Sequence, residues 1–110
     1  MVNIKRFDVC LVNLDPAIGS EIKKTRPVVI VSPDSMNRSR LNTIIVCPMT
    51  STVRNHFPTR VNTIFKGKKG QIAIDQIRAI DRSRIIKVMG CVSDEAQNNI
   101  INILSIMFGK

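Results

Sequence analysis

Apolar residues along the chain come in short runs, alternating or unbroken and closed by turn formers, until the final stretch changes to helical spacing. "FDVCLVNL" (residues 7–14) is rich in β-branched residues and ends at Asp15-Pro16, the pattern of a strand followed by a turn. Residues 17–25 then form a loop containing Gly19. "PVVIVS" (27–32) is a continuous apolar run of strand length, which predicts a strand covered on both faces. The polar stretch "PDSMNRSRLN" contains Asp34, placed to cap one or two helical turns or to shape a loop. "TIIVCPMT" (43–50) predicts the third strand, with Pro48 pointing to an edge position or a bulge because proline has no ladder donor. After the loop "STVRNHFP", "TRVNTIF" alternates and "KGKKG" predicts a glycine-bounded turn. "QIAIDQIRAI" also alternates, but neither side is purely apolar, which predicts a strand that curves or changes its covering partner. "RIIKVMGCV" is the last predicted strand.

Helical spacing takes over at the end. Ser93, followed by Asp94 and Glu95, makes a good helix start, with the acids where the dipole favours them. Ala96, Ile100, Ile103, Leu104 and Met107 form one stripe, and Gly109 can end the segment. Ile101 and Ile106 lie off that stripe, which suits either an oligomer contact or packing within the chain. The expectation is a mainly β fold: antiparallel strands in a small sheet or barrel closed by one terminal helix, a single domain over residues 1–110.

Composition narrows the chemistry. Hydrophobic residues make up 44% of the 110, yet Trp and Tyr are absent, so Ile and Val must fill the core. The formal charge is +9, and basic residues recur from Lys5 to Lys87, so the folded surface should attract polyanions. The bland alternative is a lysine-rich soluble surface. Cys10, Cys47 and Cys91 are odd in number, sit in apolar surroundings and lack metal-ligand spacing, so they read as small core residues in a reduced compartment. The sequence shows no leader pattern and no apolar run of bilayer length, so a soluble protein with no membrane association is expected.

His56 is the only histidine, the carboxylates are scattered, and no HExxH, Walker-type or dinucleotide motif occurs. An enzyme built from these parts would need no metal or other cofactor and would rely on cations, hydroxyls and a lone carboxylate. Cleavage of RNA by its own 2′-hydroxyl suits that set, because the substrate brings the nucleophile and the protein supplies proton transfer and positive charge. Arginine fits the second task through its planar, permanently charged fork. "GSEIKKTRPVVIVS" (19–32) brings Glu21 and Arg26 to the mouth of a strand whose start Pro27 fixes. Thr50, leaving the third strand, would place a hydroxyl beside Arg26 if the two strands are neighbours. A Glu21–Arg26 surface ion pair is the structural alternative.

"DPAIGSE", "TRPVVIVS", "VCPMTS" and "DQIRAID", in that order and spacing, resemble the MazF/PemK toxins of bacterial toxin–antitoxin modules. The likeness runs from about Phe7 to Asp81, and the terminal helix fits as well. It implies a compact SH3-like barrel with a C-terminal helix, acting as a cytoplasmic homodimer that cuts single-stranded messenger RNA without metal. It further implies an antitoxin partner with an acidic, partly disordered segment. By the same resemblance Arg26 and Thr50 fall on catalytic positions, and Glu21 on an acidic residue used in catalysis or substrate contact. Asp75 and Gln76 fall on a pair lining the RNA groove. Ser20, Lys23, Lys24 and Ser51, beside these positions, are assigned to substrate binding. Ser20 and Ala73 stand where some members carry histidine and arginine, which favours a mechanism centred on Arg26 and Thr50. Two other readings stay open: a CcdB-like gyrase-binding poison and a non-catalytic RNA-binding module.

Overall fold

The computed structural model describes residues 3–109. Seven strands form one curled antiparallel sheet: β1 (Asp8–Asn13), β2 (Thr25–Ile30), β3 (Thr43–Thr50), β4 (Arg60–Phe65), β5 (Lys68–Ala73), β6 (Arg78–Asp81) and β7 (Ile85–Cys91). A single turn of helix, α1 (Asp34–Asn37), follows β2, and α2 (Asp94–Phe108) closes the chain. The strand order is β4-β5-β3-β2-β1-β7, with β6 also paired to β3. The two ends of this order approach each other, since a Cβ built on Gly90 of β7 would lie 3.3 Å from the Phe65 ring of β4. The barrel-like architecture expected from the sequence is therefore present as a curled half-barrel with a C-terminal helix.

The apolar run of β2 is covered on both faces, as its lack of alternation predicts. Val29 and Val31 belong to a core with Val9, Cys47, Ile72, Ala96 and Ile100, beneath α2. Val28 and Ile30 belong to a second core with Ile4, Leu14, Ile44 and Ile80. Full burial of a side chain such as Ile100 contributes about 1.5–3 kcal/mol. Ser93 caps α2, its Oγ accepting the Ala96 amide at 3.2 Å. Ser93→Ala is expected to cost about 1 kcal/mol, read as a fall of roughly 4–8 °C in Tm with the far-ultraviolet spectrum retained.

Four local expectations change. Pro48 sits inside the sheet, not at an edge: β3 pairs with β6 over Thr43–Val46 and with β5 at Met49 and Thr50, and Pro48 falls in the gap where neither partner requires a donor. "QIAIDQIRAI" is two strands, β5 and β6, separated by a 3₁₀ turn at Ile74–Gln76, because β3 takes a different neighbour along each half. Asp34 is the first helical residue of α1 instead of its cap; Pro33 precedes it, and the Asp34 carboxylate accepts the Arg6 amide at 2.8 Å. Cys91 is exposed at the end of the edge strand β7, whereas Cys10 and Cys47 are buried. Burial pushes the Cys10 thiol up to about 11 and that of Cys47 up to about 12, so both remain unreactive.

Candidate active site

Antiparallel pairing of β2 and β3 matches Val28 with Pro48, Val29 with Cys47 and Ile30 with Val46. Continued two residues toward the strand ends, this register sets Arg26 opposite Thr50. Both residues, with Ser51, line a cleft of about 370 Å³. The Arg26 Nε donates to the Lys23 carbonyl at 2.9 Å, which fixes the guanidinium while its terminal nitrogens bond to none of the described residues. The Thr50 Oγ accepts the Thr52 amide at 3.1 Å, so its own proton is available to another acceptor.

The opposite wall comes from the β4–β5 hairpin. Thr63, Phe65, Lys66, Lys68, Lys69 and Gly70 border the cleft, and Met49 and Met89 contribute apolar surface. No carboxylate is among the residues lining it. The hairpin reaches Thr50 because Gly70 lacks a side chain: a Cβ there would lie 2.6 Å from the Thr50 carbonyl oxygen. The sequence pattern of "KGKKG" predicts a turn alone and does not single out these hairpin residues. The turn is only Lys66-Gly67, both at positive φ, and Lys68 already pairs with Phe65. The available signal is the spacing of Phe65 and Lys68, the residues immediately before and after a two-residue turn.

The remaining predicted residues gather elsewhere. Glu21, Asp75 and Gln76 line a smaller depression of about 180 Å³ on the other side of Pro48. Glu21 does not pair with Arg26; its carboxylate accepts the Ile18 amide at 2.6 Å. Asp75 makes the only salt bridge among the described residues, to Arg60 at 2.8 Å, and also accepts from the Thr59 hydroxyl. Burial pushes the Asp75 carboxyl up, but these hydrogen bonds outweigh it and hold the group below its usual value. Gln76 clamps the loop: its Oε1 accepts the Ile22 amide at 2.6 Å, and its Nε2 donates to the Ser20 carbonyl at 3.3 Å. Ser20, Lys23 and Lys24 are exposed and border neither depression. Lys24 has a φ of 72° and is held at both ends, donating to the Asp15 carboxylate and accepting from the Leu14 amide. That strained residue sets the direction in which the chain enters β2 and presents Arg26.

Carboxylates elsewhere serve the backbone. Asp8, Asp15, Glu21, Asp34 and Asp81 each accept a main-chain amide, while Asp94 and Glu95 occupy the first turn of α2. Among the described residues no group of three or more His, Cys, Asp or Glu side chains is arranged to hold a metal ion.

Known proteins resemble this chain along nearly its whole length. Residues 5–108 match the family described as PemK-like, MazF-like toxin of type II toxin–antitoxin system. A Staphylococcus saprophyticus protein named Endoribonuclease MazF is 32% identical over 96% of this chain and 92% of its own length. The crystal structure of MazF from Deinococcus radiodurans superposes with a TM-score of 0.85 at 22% identity, covering all of both chains. A mycobacterial endoribonuclease solved with its cognate antitoxin gives a TM-score of 0.78 at 22% identity, over 96% of this chain and 95% of that one.

Proposed function

The chain belongs to the PemK-like, MazF-like toxins of type II toxin–antitoxin systems, and from that premise we propose that it cleaves single-stranded RNA, messenger RNA included, at the Arg26–Thr50 cleft. It is an endoribonuclease. In the proposed reaction the 2′-hydroxyl gives up its proton as its oxygen attacks the adjacent phosphorus, the P–O5′ bond breaks, and the departing 5′-oxygen takes a proton from water, which leaves a 2′,3′-cyclic phosphate and a 5′-hydroxyl. Arg26 carries the charge that builds on the non-bridging oxygens, and the Thr50 hydroxyl donates to one of them. The observation that carries this reading is their shared position: a guanidinium anchored through one nitrogen and an oriented hydroxyl line the same cleft, which has no carboxylate in its lining.

Of the two carboxylates at the neighbouring depression, Asp75 is tied to Arg60 and the Thr59 hydroxyl, so the proton of the 2′-hydroxyl is assigned to Glu21. Gln76 and Lys24 act on the chemistry indirectly, through the shape of the loop. Ser20, Lys23 and Ser51 lie close enough in sequence to Arg26 or Thr50 to meet substrate phosphates. Neither a gyrase-directed poison nor a passive RNA binder would need the Arg26–Thr50 pairing.

The proposed protein partners are an antitoxin and a second copy of the chain. A mycobacterial relative of this fold was solved with its cognate antitoxin, and an acidic antitoxin segment would suit the cation-lined cleft of this chain. A homodimer accounts for exposed Ile86 and Val88 on β7, Ile64 on β4 and Ile106 on α2. No described helix is long and apolar enough to cross a membrane.

The test is an RNA cleavage assay in EDTA. Single-stranded RNA is expected to be cut at full rate with metal removed, to yield cyclic-phosphate ends, and to resist cleavage when a 2′-deoxynucleotide precedes the scissile bond. Persistent cleavage of the deoxy-substituted strand, or loss of activity in EDTA, would overturn the mechanism.

A further inference from the structure

The hairpin wall of the cleft has no assigned role in the reaction, and its construction is specific. Thr63 and Phe65 share one face of β4, and antiparallel pairing puts Gly70 and Lys68 opposite them on that same face. Lys66 occupies a turn position with a φ of 50°, where asparagine or glycine is the easier choice, so a cation is kept at the tip at a conformational cost. Its Nζ lies 5.8 Å above the Phe65 ring centroid. From the other side β7 contributes Met89. Val9 pairs with Gly90 and Cys10 with Val88, so Met89 is the extra residue of a β-bulge, a device that redirects a side chain. Phe65, Met49 and Met89 thus give an apolar floor beneath a rim of Arg26, Lys66 and Lys68.

We propose that this inner part of the cleft is a subsite for one unpaired nucleotide beside the scissile phosphate, its base resting on Phe65, Met49 and Met89 and its phosphate held by Lys66 and Lys68. The inference rests on the RNA-cleavage reading above and adds to it the groups that hold the neighbouring nucleotide. An aromatic and apolar floor with flanking cations is what an unstacked base and its phosphate require, and neither feature alone would explain the other.

The experiment measures kcat/KM against salt for single-stranded RNA carrying a mapped cut site. It compares the parent protein, Lys66→Ala/Lys68→Ala, and Arg38→Ala/Arg40→Ala. The last pair removes equal charge beside α1, at the far end of β2. The lysine variant should show a salt slope shallower by about 0.7 for the lost phosphate contact, and the arginine variant a smaller change. In a second arm, abasic sites are placed singly around the cut. One position should cost the parent protein about ten-fold, and Phe65→Leu should remove most of that penalty.

Equal slopes in the two double variants, or an abasic penalty unchanged in Phe65→Leu, would overturn the subsite. Loss of dimerisation in the lysine variant, with its salt slope unaltered, would also overturn it, since a second copy would then occupy the cleft. Should the parent protein cut no RNA, the catalytic reading fails. The same slopes, measured as binding to an uncleavable 2′-deoxy-substituted strand, still decide the subsite.

Discussion

Arg26→Ala is expected to lower kcat by about 10²–10³ while leaving Tm close to that of the parent protein. The guanidinium rests on the Lys23 carbonyl at the rim of the cleft and fills no core space, so its removal opens no buried cavity. What disappears is a preorganised positive group aimed at oxygens that gain charge only as the phosphorus becomes pentavalent. Arg26→Lys should recover little, because an ammonium cannot donate to Lys23 through one nitrogen and to a phosphoryl group through two others. Single-turnover cleavage alongside a thermal melt checks both statements. Near-parental turnover by the alanine variant would remove Arg26 from the chemistry.

The second large effect is expected at Gly70, a residue with no chemistry of its own. A methyl group there would meet a backbone oxygen at 2.6 Å, and a carbonyl in a strand cannot swing away as a side chain end does. Either β5 retreats from β3 or the Thr50 peptide turns. The sheet gives little resistance to the first movement, since Met49↔Ile72 and Thr50↔Gln71 are the paired positions between these strands. Gly70→Ala should therefore destabilise the protein by about 1–3 kcal/mol and lower kcat by on the order of 10² through misplacement of Thr50. Denaturant unfolding and single-turnover rates measure the two effects separately. An alanine variant with parental stability and rate would show that the close approach is unimportant.

These two positions differ in how visible they are in the sequence. Arg26 could be found because a charge beside Pro27 and an unbroken apolar run is a local pattern, and Thr50 because its strand has a clear end. β1, β2, β3, β7 and α2 were legible for the same reason: each carries its period within its own residues. Gly70 looks like any turn glycine until β3 and β5 are paired. The division of residues 71–80 into two strands follows from β3 having a different neighbour along each half, a fact about the sheet and not about that run. Gln76 fastens Ile22 and Ser20 across more than fifty residues of sequence, and no local window contains both ends of that contact. The Met89 bulge is equally non-local, being defined only by its register with β1.

The allocation of acids has a consequence for the protein outside its reaction. Eight acids stand against seventeen lysines and arginines, and among the described residues only Asp75 forms a salt bridge, so most cations have no carboxylate paired with them and a net +9 stands open on a small body. Copies of the chain therefore repel one another at long range, beyond reach of the short-range attraction that exposed β7 offers. Dissolved anions will gather around the molecule and leave it when a longer polyanion arrives, so that their release supplies part of the drive for association. The shortage of acids, with nearly all of them outside ion pairs, thus keeps the molecule electrostatically incomplete until it meets a negatively charged chain.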